Sequence, residues 1–221
     1  MITAAKQIVG PIEQSGASVL DLRFAHLLGA HAWHALPPAI RRRFSKRVTP
    51  NTEVHYRGQI EHTRLNPLGH VLAQGLRPIG APLPLHTGQT CNEAAVTITG
   101  TPKGQAQRWT RRYNRGKGRK PQTITSTKTF GGPTGCEEWI TPWLSMALDL
   151  RADGDTLFFE SQRYVLTFLG CRLALPKLLS PGAIQVGHTH ICDTEFRFTL
   201  TLTHPWFGRL VDQAVVFRDV E

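Results

Sequence analysis

The 221-residue sequence predicts an α+β domain in which N-terminal helices pack on a long, curved antiparallel β-meander, a partial or closed barrel. Three observations carry this reading. Hydrophobic spacing is helical up to the Pro/Gly-rich stretch Arg77 to Pro84 and has period two beyond it. The period-two segments are long and joined mainly by hairpin-length turns, Asp153-Gly154 among them. Each is apolar on one side, so the sheet needs helices, a second sheet or its own curvature to cover that side.

Taken in order, residues 1–18 are mixed and turn-rich and read as a flexible lead-in. Ser18 is placed to cap a helix from Val19, with Asp21 three residues on. Leu20, Phe24, Leu27 and Leu28 form its apolar face, and Gly29 ends or interrupts it. His31, Trp33 and Leu36 continue the pattern until Pro37-Pro38, which open a second short helix through Arg43 or beyond. Arg41 to Arg47 holds five cations in seven residues and reads as a solvated face. Pro67, Leu68, Val71, Leu72 and Leu76 predict one more amphipathic helix. Strands follow at 94–99, 107–113, 124–130, 137–150, 157–169, 183–203 and 210–217. The expected organisation is a single domain over 19–221, helical across 19–80 and β-rich across 90–218.

Composition narrows the function. A hydrophobic fraction of 40% with 19% charged residues excludes a polyelectrolyte-like disordered chain. No uncharged apolar run approaches the roughly 18 residues of a spanning helix. The opening Met1 to Lys6 lacks the marks of a secretory signal, so a cytoplasmic protein is expected. The formal charge of +10 favours anionic partners: an anionic bilayer at the inner membrane face, nucleic acid or acidic metabolites. Cys91, Cys136, Cys171 and Cys192 form no CxxC and read as reduced, mostly buried small residues.

Five segments carry a resemblance. Phe24-Ala25-His26-Leu27-Leu28-Gly29 leads to Leu36-Pro37-Pro38-Ala39-Ile40-Arg41, then Arg108-Trp109-Thr110-Arg111-Arg112-Tyr113. An acidic residue then opens the next long strand, Glu137 the better match and Glu138 close behind. Leu175-Pro176-Lys177-Leu178-Leu179-Ser180-Pro181 follows, and Phe196-Arg197-Phe198 leads to Pro205-Trp206-Phe207-Gly208-Arg209-Leu210. In this order they resemble a bacterial family, domain of unknown function 4166, over roughly Leu20 to Phe217. The resemblance implies no activity. It implies a stand-alone domain, or a tail behind a dehydrogenase-like nucleotide-binding domain, and hence a dehydrogenase-like partner. The family's Tyr-x-Gly after its last Gly-x-Leu is replaced here by Asp212-Gln213-Ala214-Val215.

The candidate ligand-binding residues are Trp109, Arg111, Tyr113, Glu137, Trp143 and Tyr164. Trp109, Arg111 and Tyr113 share one face of a strand. If that face points inward, Arg111 needs a carboxylate, because an unpaired buried charge costs several kcal/mol. Glu137 is the expected partner, with Trp139, Thr141 and Trp143 on its face. Arg111 then either grips a ligand's carboxylate or phosphate, or forms a buried pair that fixes strand register. Arg112, Arg115, Lys117, Arg119 and Lys120 belong to a hairpin with seven cations over 108–120, read as an anion-binding surface or a solvated loop. His188, His190 and Cys192 share a face if all three lie on one strand, and His31 and His34 lie three apart on a helix; both read as coincidence, with no metal expected. No Gly-x-Ser-x-Gly, P-loop or GxGxxG is present, so no catalytic residue and no cofactor is assigned.

The resulting expectation is a binding domain for an amphipathic, anionic, lipid-like small molecule in a sheet-lined cavity. The alternatives are an accessory domain for a dehydrogenase-like enzyme, a nucleic-acid binder using 108–120 and an enzyme acting through Arg111 and its carboxylate.

Overall fold

The computed structural model describes residues 20–78, 80, 83–85, 92–102, 104–116 and 118–220. Three short helices come first: α1 (Arg23–Leu28), α2 (Ala30–Ala35) and α3 (Pro38–Phe44). β1 (Glu53–Leu65) and α4 (Pro67–Leu76) follow, then β2 (Glu93–Gly100), β3 (Ala106–Tyr113), β4 (Gln122–Thr129), β5 (Cys136–Trp139) and β6 (Leu144–Asp153). The chain ends in β7 (Thr156–Phe168), β8 (Cys171–Ala174), a 3-10 turn (Lys177–Leu179), β9 (Ala183–His190), β10 (Glu195–His204) and β11 (Gly208–Val220). All pairings are antiparallel in the order β6-β5-β4-β3-β2-β1-β11-β10-β9-β7, and a β6–β7 ladder closes the ring into a ten-stranded barrel. β8 extends β7 beyond the point where β9 leaves it.

The two ends of the barrel differ. At one, α1 to α3 form a plug. Phe24 meets Phe44, Phe130 and Phe159 edge-on, with ring centroids 5.5, 4.8 and 5.7 Å away. Asp21 Oδ1 accepts from the Arg23 backbone N–H at 3.2 Å and from Arg23 Nε at 2.8 Å, anchoring the first turn of α1. Gly29, at φ +83°, separates α1 from α2. The opposite end carries α4, whose start is capped by Asn66 Oδ1 accepting from Gly69 N–H at 2.7 Å. Here the helix backbone lies directly on β11: a Cβ on Gly69 would stand 2.1 Å from the Leu210 carbonyl oxygen. Gly69→Ala is therefore expected to lower stability by about 2 kcal/mol or more, measured by urea unfolding, since rigid backbone must move.

Several sequence expectations need correction. The span 19–80 is not all helical, because β1 lies within it. Its inward positions Val54, Tyr56, Gly58 and Ile60 alternate, but Gly58 removes one apolar mark; a Cβ there would stand 2.5 Å from the Phe217 ring. The expected strand 137–150 is two strands. Pro142 supplies no N–H, and the Thr141 hydroxyl accepts from the Leu144 N–H at 2.9 Å, turning the chain between β5 and β6. The span 183–203 also divides, into β9 and β10 around 191–194. In the cluster 41–47, Arg43 is buried, its guanidinium 4.0 Å over the Phe196 ring and 3.7 Å from Asp219. Of the cysteines, Cys136 is buried whereas Cys171 and Cys192 are exposed. The lead-in 1–18, the Ser18 cap, Cys91 and Lys117 lie outside the described residues.

Candidate ligand site inside the barrel

Strand parity builds the interior. On β3, Trp109, Arg111 and Tyr113 point inward and are buried, while Arg108 and Arg112 point out. β4 pairs Ser126 with Trp109 and Lys128 with Gln107, and β5 places Glu138 opposite Lys128. A charged belt results. Lys128 Nζ donates to Glu138 Oε2 at 2.5 Å, Ser126 Oγ to Glu138 Oε1 at 2.5 Å, and Arg111 Nη1 to Ser126 Oγ at 3.1 Å. Arg111 Nη2 stands 3.6 Å from Glu138 Oε1. The Lys128 ammonium also lies 4.9 Å from the Trp109 ring centroid and 5.4 Å from that of Phe159, a cation–π setting that partly replaces lost water.

Two cations thus share one carboxylate. Burial alone pushes the Glu138 carboxyl up, but Lys128 and Arg111 outweigh it and hold the group at about 2. Burial lowers Lys128, with the adjacent carboxylate opposing. His188 is lowered well below its usual range, first by burial and then by Arg43, Lys128 and Arg111, so it is neutral at neutral pH. Its ring packs among Phe44, Phe159, Phe196 and Phe198, and its Nδ1 has no hydrogen-bond partner.

The belt divides the interior. Towards the plug, a space of about 30 Å³ lies between Phe44, Tyr56, Trp109, His188 and Phe196. Towards the α4 end, a cavity of about 90 Å³ has Arg111 and Glu138 at its floor and walls that include Leu144, Met146, Ile184 and Leu200. Leu83, Pro84 and Pro181 lie at the same cavity. Arg111 therefore borders both spaces. Among the described residues it makes one hydrogen bond, although a guanidinium carries five N–H donors.

The expected site residues separate on this geometry. Trp109, Arg111 and Tyr113 face inward, and Tyr164 does too, donating its hydroxyl to the Gly182 carbonyl at 3.0 Å. The Tyr113 hydroxyl donates to Gln213 Oε1 at 3.2 Å, so the segment 212–215 does reach the interior. Glu137 is not the partner of Arg111. It takes the outer face of β5, buried beneath Arg172, and accepts from Ser145 Oγ at 2.8 Å. One residue of parity gives Glu138 the inward role. Trp143 does not line the cavity either; it sits on the β5–β6 turn, 38% exposed.

Arg115, Arg119 and Lys120 sit in the β3–β4 connection, with Arg119 and Lys120 exposed. Arg112 points outward beside Arg57 and Arg218 along an open groove. The metal reading of 188–192 has no basis in the geometry: β9 ends at His190, His188 is in the core and Cys192 is exposed. No three His, Cys, Asp or Glu side chains converge as metal ligands among the described residues. Sequence reading missed Lys128 and Ser126. Their signal was the alternation Ile124, Ser126, Lys128, Phe130 inside a threonine-rich strand.

Fold and interior together define a closed, plugged antiparallel barrel with a buried, cation-rich belt. The chain belongs to the family of a domain of unknown function, DUF4166, whose model matches residues 36–217. No curated protein and no solved structure matches the chain. No helix among the described residues is long and apolar enough to cross a membrane.

Proposed function

We propose that the barrel binds a small amphipathic anion, with its carboxylate or phosphate on Arg111 and its apolar part between Leu144, Met146, Ile184 and Leu200. The carrying observation is the charge imbalance: Arg111 and Lys128 face one carboxylate, Glu138, at the floor of an apolar cavity. A buried excess cation is costly unless a counter-charge joins it. The volume of about 90 Å³ equals about three water volumes. That is below the usual ~300 Å³ for a drug-sized ligand. The enclosed part therefore takes a head group and the first carbons of an acyl or isoprenyl chain, and a longer chain extends past Pro84 and Pro181. The role is binding, with the cytoplasm as its proposed location.

Solvent extraction of purified protein followed by mass spectrometry tests this, together with uptake of a fluorescent fatty acid. The expected result is a carboxylate or phosphate amphiphile from the wild type and loss of uptake in Arg111→Met, which leaves the Lys128–Glu138 pair charge-balanced and the fold intact. A clean extract with no uptake contradicts the reading. Co-purification of a dehydrogenase-like enzyme, or a salt-sensitive gel shift with nucleic acid, would favour the corresponding rival.

A further inference from the structure

The barrel end that carries α4 also receives the described residues of five connections: 66–78, 80, 83–85 and 92 between β1 and β2, then 114–116 with 118–121, 140–143, 169–182 and 205–207. Through Arg209 at the start of β11, the described residues of these segments include Arg77, Arg115, Arg119, Lys120, Arg172, Lys177 and Arg209 and no Asp or Glu; Arg172 pairs with Glu137 and Arg209 with Asp212 on the adjoining strands. The same end exposes large apolar side chains. The β7–β8 hairpin shows Phe168 (70% exposed), Leu169 (87%) and Leu173 (62%), with Leu179 following in the 3-10 turn. Trp143 adjoins this hairpin, its carbonyl accepting from the Thr167 N–H at 2.8 Å. Across the end, Trp206 and Phe207 are exposed beside the start of α4, where Asn66 Nδ2 donates to the Phe207 carbonyl at 3.3 Å. Leu68 and Val71 on α4 are exposed too.

The hairpin tip is unusual in its backbone. Leu169 at φ +48° is the sole non-glycine residue with positive φ among the described residues, and Gly170 follows at φ +79°. Positive φ suits Gly, Asn or Asp, so a leucine is disfavoured there. Its side chain makes no compensating core contact, because it stands almost wholly in solvent.

We propose that this end docks on an anionic phospholipid bilayer. Phe168 and Leu169 would enter the acyl boundary, Trp143, Trp206 and Phe207 would lie at the headgroup level, and the cations would meet lipid phosphates. Aromatic side chains favour that interfacial position, and each surface cation adds to the attraction of anionic lipid. A surplus of cations around apolar tips, with Arg77, Arg115, Arg119, Lys120 and Lys177 outside any ion pair among the described residues, fits an anionic bilayer, and the proposal stands whether or not the interior holds a ligand.

Co-sedimentation with vesicles of phosphatidylcholine, alone or with about one-third phosphatidylglycerol, provides the test. Wild type is expected to sediment with the anionic vesicles, less as salt rises and weakly with phosphatidylcholine alone. Phe168→Ser with Leu169→Gly is expected to weaken partitioning about tenfold or more, with thermal stability unchanged or raised because the strained leucine is gone. Trp206→Ser with Phe207→Ser should weaken it independently. Equal sedimentation of wild type and the hairpin variant overturns the proposal. So does a wild-type dimer in light scattering that the same variant dissolves, with no vesicle binding, since a second copy would then cover this end.

Discussion

Glu138→Gln is expected to destabilise the protein by about 3–5 kcal/mol, the largest effect of any conservative interior change. The substitution keeps the shape and removes the carboxylate that Lys128, Arg111 and Ser126 share. Two buried cations then lack a counter-charge. Lys128→Met should cost far less, because Glu138 keeps Arg111 and Ser126 and the belt becomes neutral. The double variant should be more stable than Glu138→Gln alone. Urea unfolding of the three variants checks the order, and equal losses for both single variants would contradict shared pairing. Because the Glu138 carboxyl is held at about 2 against an ordinary 4.5, its stabilisation is present above the ordinary value and is lost as pH falls between the two.

The second large effect is acid sensitivity through His188. Its folded form is neutral: burial opposes protonation most, Arg43, Lys128 and Arg111 add to it, and Glu138 works the other way. The unfolded chain takes up a proton near the ordinary histidine value of 6.5, and the folded chain does not. Below that value the unfolded state binds more protons, so stability falls with pH by up to about 1.4 kcal/mol per unit until the lowered folded value is reached. His188→Phe places a ring among Phe44, Phe159, Phe196 and Phe198 and sacrifices no hydrogen bond at Nδ1. Thermal unfolding between about pH 7 and pH 5 should show a smaller fall for this variant than for wild type. Identical profiles would place the acid sensitivity elsewhere.

Much of the architecture was legible because it rests on local chemistry. Pro38 and Pro67 sit in the first turns of their helices, and Asp153 and Gly154 lie at the β6–β7 hairpin. Alternation on β3 put Trp109, Arg111 and Tyr113 on one face, and the structure turns that face inward. Signals failed where one residue carried tertiary information. Gly58 reads as a breaker but is small because Phe217 packs across it. The turn at Pro142 is bounded by apolar residues, so 137–150 looked continuous. β5 has four residues, too few for periodicity to decide between Glu137 and Glu138, and both proved buried with different partners. β8 is wholly exposed and shows no inward face to read.

Arg111 offers unused donors to an anion in a small apolar chamber. A calorimetric titration of straight-chain alkyl carboxylates of increasing length into wild type and Arg111→Met checks this. Affinity is expected to rise with the first few carbons, level off once the enclosed space is filled, and collapse in Arg111→Met at every length. Binding that ignores the arginine, or no heat from any member of the series, would contradict it.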